Sequence, residues 1–524
     1  MRCAFAALAG WLLATGAAHA ATPLPQPPLS ASADQDDADF DWLDEIDTVR
    51  LTSDADYARA IIAKLDAIQL VPDRPLGISD AADGIEALRI MALVGTTGPE
   101  GAAAFARQVV ARQVDAPVAR ATAIMALTMA GEGGEAIDAL EQSVSRIRDP
   151  EAAERFRDAL NSELVNYLFR SAREEKRSAD FTRLTLMLAR MGWPGASDPR
   201  STDSLRRNAA SILLSKGEKA EAEAQAKAIV SPQLVAESLS LKAMDKLFSV
   251  DDREARLVSA MAAEDARSAA ALAKAPDDVR LVRARVDFLR AADRSQEAFD
   301  VGARFVMDME VLRAMFPYWG SDLLWLANEM AYVLVDLDRG DEADALLIGL
   351  ETLDVEKHGS IVNMMINRLG VLDMLDRHEE LAATAVSLAN DDGAFQASPY
   401  GNMWIWAAAA CAYQTLGRSA EAKPWADKVV AAAETNVSAH MQVLLCTGDD
   451  KGAEALMVKR LSSGDPEHAV MVLQDYRRGA SDMKTDATDA ALARLKASPA
   501  VQAAFDKVAH RIRMPMRQTY WGDF

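Results

Sequence analysis

At 524 residues the chain exceeds what one compact hydrophobic core usually serves, so several domains or a stack of repeats is expected. Its net charge of −22 repels phosphate backbones and anionic lipid surfaces, which argues against nucleic acid or a membrane surface as partner. Half of the residues are hydrophobic but only 6% are aromatic, and the abundance of alanine and leucine favours helix over strand.

The N-terminus reads as a secretory signal peptide over residues 1–20. Arg2 supplies the positive start, Ala4 to Ala14 an apolar stretch broken only by Gly10, and Ala18-His19-Ala20 the small-x-small cleavage pattern. Cleavage near Ala20 implies a periplasmic or secreted protein. The apolar run is too short to span a bilayer and no later run is longer, so no membrane insertion is expected. Cys3 precedes the apolar stretch, which excludes it as the lipidated cysteine of a lipoprotein signal. Residues 21–46 form a proline-rich, then acidic, disordered linker. Its acids surround Phe40 and Trp42 but lack the glycine and ligand order of a calcium loop.

From about residue 53 apolar residues recur at helical spacing, with Gly, Pro and Asp clustered between helices, as at Gly98-Pro99, Gly192 to Gly195 and Asp391 to Gly393. One junction recurs: a helix end, a tight polar turn, then Glu-Ala or Glu-Leu opening the next helix. Its copies begin at Gly131, Gly217, Asp293, Asp338, Asp376 and Gly417, with a degenerate one at Gly448. A leading Gly or Asp tolerates the left-handed backbone that ends a helix, and Glu in the first turn of the next suits the helix dipole. From Asp293 onward the interval is about 31 to 45 residues; the two earlier intervals are near twice that, as if a middle junction had worn away.

These units resemble the tetratricopeptide repeat, a helix–turn–helix of about 34 residues. The match is best from Met403 to Ala433, with Trp406, Ala410 and Tyr413 on the first helix, Leu416-Gly417 at the turn and Ala422 on the second. Leu324 to Leu353 repeats it with Ala327, Ala331 and Ala343, and Val362 to Ala389 is looser, with Leu369 and Leu381 at the small positions. The family's proline near the unit end is missing. The resemblance implies an all-α superhelix of helical hairpins: a less regular region over 47–265, repeats over 266–465, and a C-terminal cap and tail over 466–524.

In this family the first helices line a concave groove. The resemblance therefore places Trp325, Asn328 and Tyr332 on that surface, then Asn363, Asn367 and Gly370, then Trp404, Cys411 and Gln414. Asparagine can donate to and accept from a peptide backbone at once, and aromatic rings supply rigid contact area. The blander alternative is that the tryptophans pack on neighbouring helices. The basic clamp some members use for terminal carboxylates is absent, since Asn328, Ile366 and Ala407 stand in its places. Phe316 to Gly320 and Pro399 to Gly401 read as aromatic loops that form either a binding rim or caps on the core.

Cys411 and Cys446 fall on consecutive first helices, as two buried free thiols or, where the facing allows, a disulfide. His358, His378, His440, His468 and His510 form no metal motif, and no phosphate loop or nucleophile elbow is present, so no cofactor, metal or catalytic residue is assigned. The basic tail His510 to Arg517, with Tyr520 to Phe524 beyond it, reads as a cap folded over the last hairpin, or as a free recruiting tail. The expected function is an exported binding or scaffold protein for an envelope protein, a peptide or a polysaccharide. The alternatives are a subunit of an envelope assembly or polysaccharide export machine, and a helical enzyme acting on glycans or peptides.

Overall fold

The computed structural model describes residues 46–67, 78–111, 116–174, 176–193, 199–248, 252–353, 360–390, 397–464, 466–477 and 486–518. Residues 1–45, which hold the expected signal peptide and most of the expected linker, lie outside the described residues, as do Pro194-Gly195, His358, Asp391 to Gly393 and Tyr520 to Phe524. Among the described residues the chain is all-α, with no strand and two isolated β-bridges. Its contacts divide at Ala228/Ile229 into two units.

The first unit holds α1 (Thr48–Ser53), α2 (Ala55–Ala67), α3 (Ile78–Ala111), α4 (Pro117–Met129) and α5 (Gly133–Arg146). It continues with α6 (Pro150–Ala159), α7 (Ser162–Glu174), α8 (Ser178–Met191), α9 (Pro199–Ser215) and α10 (Lys219–Lys227). The second unit begins with α11 (Pro232–Ser240), a 3-10 turn Lys242–Met244, α12 (Arg253–Lys274), α13 (Val279–Ala291) and α14 (Ser295–Val306). Then come α15 (Met309–Asp336), α16 (Gly340–Glu351), α17 (Ile361–Met374), α18 (His378–Ala389), α19 (Pro399–Thr415) and α20 (Ser419–Ala431). It closes with α21 (Val437–Cys446), α22 (Asp450–Leu461), α23 (Glu467–Val472), α24 (Asp486–Ala497) and α25 (Pro499–Val508).

Local chemistry sets these boundaries. Pro117, Pro150, Pro232, Pro399 and Pro499 each open a helix, where the missing N–H costs nothing. Asp149, Asp278, Ser398, Asn436, Asp449 and Ser498 cap with a side-chain acceptor. At the other end, all seven junction residues, Gly131, Gly217, Asp293, Asp338, Asp376, Gly417 and Gly448, take positive φ. In each the next amide reaches back to close the helix, as Arg339 N does to Leu334 O at 2.8 Å and Arg418 N to Tyr413 O at 2.8 Å. Lys176, also at positive φ, supplies the junction missing between Gly131 and Gly217: Lys176-Arg177-Ser178-Ala179-Asp180-Phe181 runs in the same register. Between Gly217 and Asp293 no described residue does so, and the 3-10 turn stands there instead.

In the second unit α13, α15, α17, α19 and α21 pack successively on one another, and each is followed by its hairpin partner, α14, α16, α18, α20 and α22. Ala327, Ala331, Ala343, Ala410 and Ala422, and the larger Leu369 and Leu381, are all buried. Gly302 shows how tight the layers are, since a Cβ there would lie 2.4 Å from Met330 Sδ. Residues 316–320 are not a loop. They end the first arm of α15, which bends at Gly320 (φ 46°), while Pro399 to Gly401 form the first turn of α19.

The last elements of this unit return to its first ones. α23 packs on α11, and α25 reaches the 3-10 turn. Leu241 bridges Ala509, and Asp475 bridges Arg513. Within residues 510–518 the tail reaches the start of this unit: His510 N donates to Ser240 O at 2.7 Å, Arg517 N donates to Ala291 O at 2.9 Å, and Arg511 lies over the Phe505 ring of α25 at 4.9 Å. There Arg517 pairs with the buried carboxylate of Asp336 at the end of α15.

Candidate functional site

The face expected to bind lies in the second unit, where Trp325, Asn363 and Trp404 stand at the same distance ahead of Asp338, Asp376 and Gly417. Two of its residues meet across consecutive hairpins: Asn367 Nδ2 donates to Asn328 Oδ1 at 2.9 Å. Asn328 is buried, Asn367 and Trp325 are half-buried, and Asn363 is exposed. Trp404 is buried, with the Tyr400 ring edge-on at 6.5 Å, so it packs internally. Gln414 Oε1, near the end of α19, accepts from Ser419 Oγ at 3.1 Å. Gly370 is buried. Tyr318 (84% exposed) and Tyr400 (53%) project into solvent near the amino-terminal ends of the first helices.

Tyr332 is buried beneath Arg290, whose guanidinium carbon lies 4.8 Å from the ring centroid. This contact opens onto a cluster that sequence reasoning missed. Arg283, Asp287 and Arg290 share one stripe of α13 and face Asp322, Glu329, Tyr332 and Asp336 of α15. Arg290 Nε donates to Asp336 Oδ2 at 2.9 Å, and its Nη1 lies 3.6 Å from Glu329 Oε2. Arg283 pairs with Asp322 at 3.1 Å. Burial pushes the Glu329 carboxyl well above the ordinary range, and the hydrogen-bonded Asp287 beside it adds to the rise. Burial disfavours the charge on Arg290, but Asp336 and Glu329 outweigh it and hold its pKa above the usual value. Ser295 Oγ also donates to Asp336 Oδ2 at 3.2 Å, and Arg517 Nη2 donates to Asp336 Oδ1 at 3.0 Å. The signal available in the sequence was the seven-residue recurrence of arginine at 283 and 290 in α13, two helices ahead of the one that carries Trp325.

A second buried guanidinium, Arg368, joins Asp344 at 2.6 Å and Glu380 at 2.8 Å, tying α16, α17 and α18 together. Cys411 and Cys446 form a disulfide with Cα atoms 5.5 Å apart, linking α19 to α21. The two helices face each other closely enough at this point to bring the sulfurs together. Among the described residues no group of three or more His, Cys, Asp or Glu is placed to hold a metal ion. Nor, among them, is any helix long and apolar enough to cross a membrane.

Fold and face together define an all-α protein of stacked helical hairpins. No known family model matches the chain, and no curated protein resembles it significantly.

Proposed function

We propose that the chain is an exported tetratricopeptide-like protein that binds or scaffolds an extended envelope partner on the first-helix face of its second unit. The carrying observation is the Asn367–Asn328 hydrogen bond, which joins two consecutive hairpins on the face where the family holds ligands. Exposed Asn363 and half-buried Trp325 beside it offer amide and ring chemistry suited to a peptide segment. The Cys411–Cys446 bridge supports export, because such bonds persist in oxidising compartments. The repeated left-handed turns support the tetratricopeptide-like reading.

The test places a photo-crosslinking residue at position 363 in cells, with one at exposed Val430 on α20 as control. Position 363 is expected to give a discrete polypeptide adduct that disappears in the Trp325→Ala/Asn367→Ala variant. A glycan adduct would reassign the partner class. Identical adducts from the folded variant would refute the face.

A further inference from the structure

Residues 510–517 run without helix across the ends of α11, α13, α15 and α23. Their backbone is held from both sides. Ile512 N donates to Gln474 Oε1 at 2.8 Å, Met514 N donates to Asp475 O at 2.8 Å, and Met516 O accepts from Arg477 N at 3.1 Å. Their side chains alternate: Ile512, Met514 and Met516 are buried, while Arg511 and Arg513 are exposed. The run ends on a buried guanidinium, Arg517, at 3.0 Å from Asp336 and 3.4 Å from Asp293. Main-chain hydrogen bonds with alternate buried side chains are the means by which a protein surface holds an extended peptide.

We propose that this track is a peptide-binding site whose resident ligand is the segment 510–517. The segment detaches as a unit, and another peptide with apolar residues at alternate positions followed by arginine takes its place. Its removal opens the amide of buried Gln474, which holds Ile512 N and His510 O, to water. Ser240 and Ala291, which receive its amides, are the last residues of α11 and α13, where water readily satisfies a carbonyl. Asp336 is not abandoned either, because Arg290 remains on its other oxygen. The proposal does not draw on the asparagine face and stands or falls apart from it.

Hydrogen exchange on the unmodified full chain gives the first test. The amides of His510, Met514 and Arg517 are expected to exchange at least tenfold faster than those in the middle of α13 and α15. Exchange in the same opening event as those helices would show that the segment is core and overturn the proposal. The second test uses the full chain carrying Met514→Asp and Arg517→Ala, and a labelled synthetic peptide of residues 510–518. The variant is expected to keep its helical signal and to bind the peptide at least tenfold more tightly than the unmodified chain, whose own tail competes. The same peptide carrying Arg517→Ala should bind at least tenfold more weakly. A variant that unfolds throughout the second unit, or that stays folded and ignores the peptide, refutes the site.

Discussion

Breaking the Cys411–Cys446 bond should cost the second unit more than any single surface contact. The bond spans 35 residues, from near the end of α19, around α20, to the end of α21. A crosslink that closes a loop of this length removes about 3.8 kcal/mol of chain entropy from the unfolded state on the loop-closure model. The surface ion pair Lys423–Asp427 on α20, inside that loop, contributes at most about 1 kcal/mol. The measurement is urea unfolding of the oxidised chain, the chain reduced at equilibrium, and the Cys411→Ser/Cys446→Ser variant. Reduction should lower the stability by about 2–4 kcal/mol. The serine variant should fall slightly further, because Cys411 is buried and a hydroxyl there needs a partner. Oxidised and reduced chains that agree within about 0.5 kcal/mol would refute the reasoning, since the loop entropy would then not be limiting.

Glu329→Gln isolates the buried acid. The folded carboxyl sits well above its unfolded value, so its stabilising effect is complete below the unfolded pKa and is lost as pH rises through the folded one. Within that window the unmodified chain should lose up to about 1.4 kcal/mol per pH unit relative to the glutamine variant, and parallel stability–pH curves would refute this. Asp338 occupies left-handed backbone at φ 58°. Asp338→Gly should therefore be neutral or mildly stabilising, and Asp338→Val should cost about 1–2 kcal/mol, read as a shift in the unfolding midpoint. Equal midpoints for the two variants would count against strain at this turn.

Much of the fold was legible because the turns are chemically distinctive. Glycine or aspartate at a helix end, followed by a first-turn acid, marks a left-handed stop, and every junction chosen on that ground has one. Lys176 escaped notice because lysine gives no such signal; its register is visible only through Arg177, Ser178 and Asp180. The face was legible in part. Asn328 and Asn367 could be aligned from the turns, whereas the engagement of Trp404 and Gln414 depends on neighbours that spacing does not reveal. The charged stripe of α13 was missed because such stripes usually face solvent, and only the packing of α15 over it shows otherwise. The tail was the least legible, since Arg517 meets Asp336 across 181 residues and Asp293 across 224. No local pattern encodes a contact at that range.

The return of α23, α25 and the tail to the first elements of this unit limits how it can evolve. An array with free ends lengthens by duplicating a hairpin and frays from its outermost member, so it needs polar end-pieces. Here an inserted hairpin would push Arg517 away from Asp336 and break the seam, so growth by duplication is blocked. Once residues 510–517 have opened, α23 still ties the end of the unit to α11, so its helices should melt together instead of peeling back turn by turn.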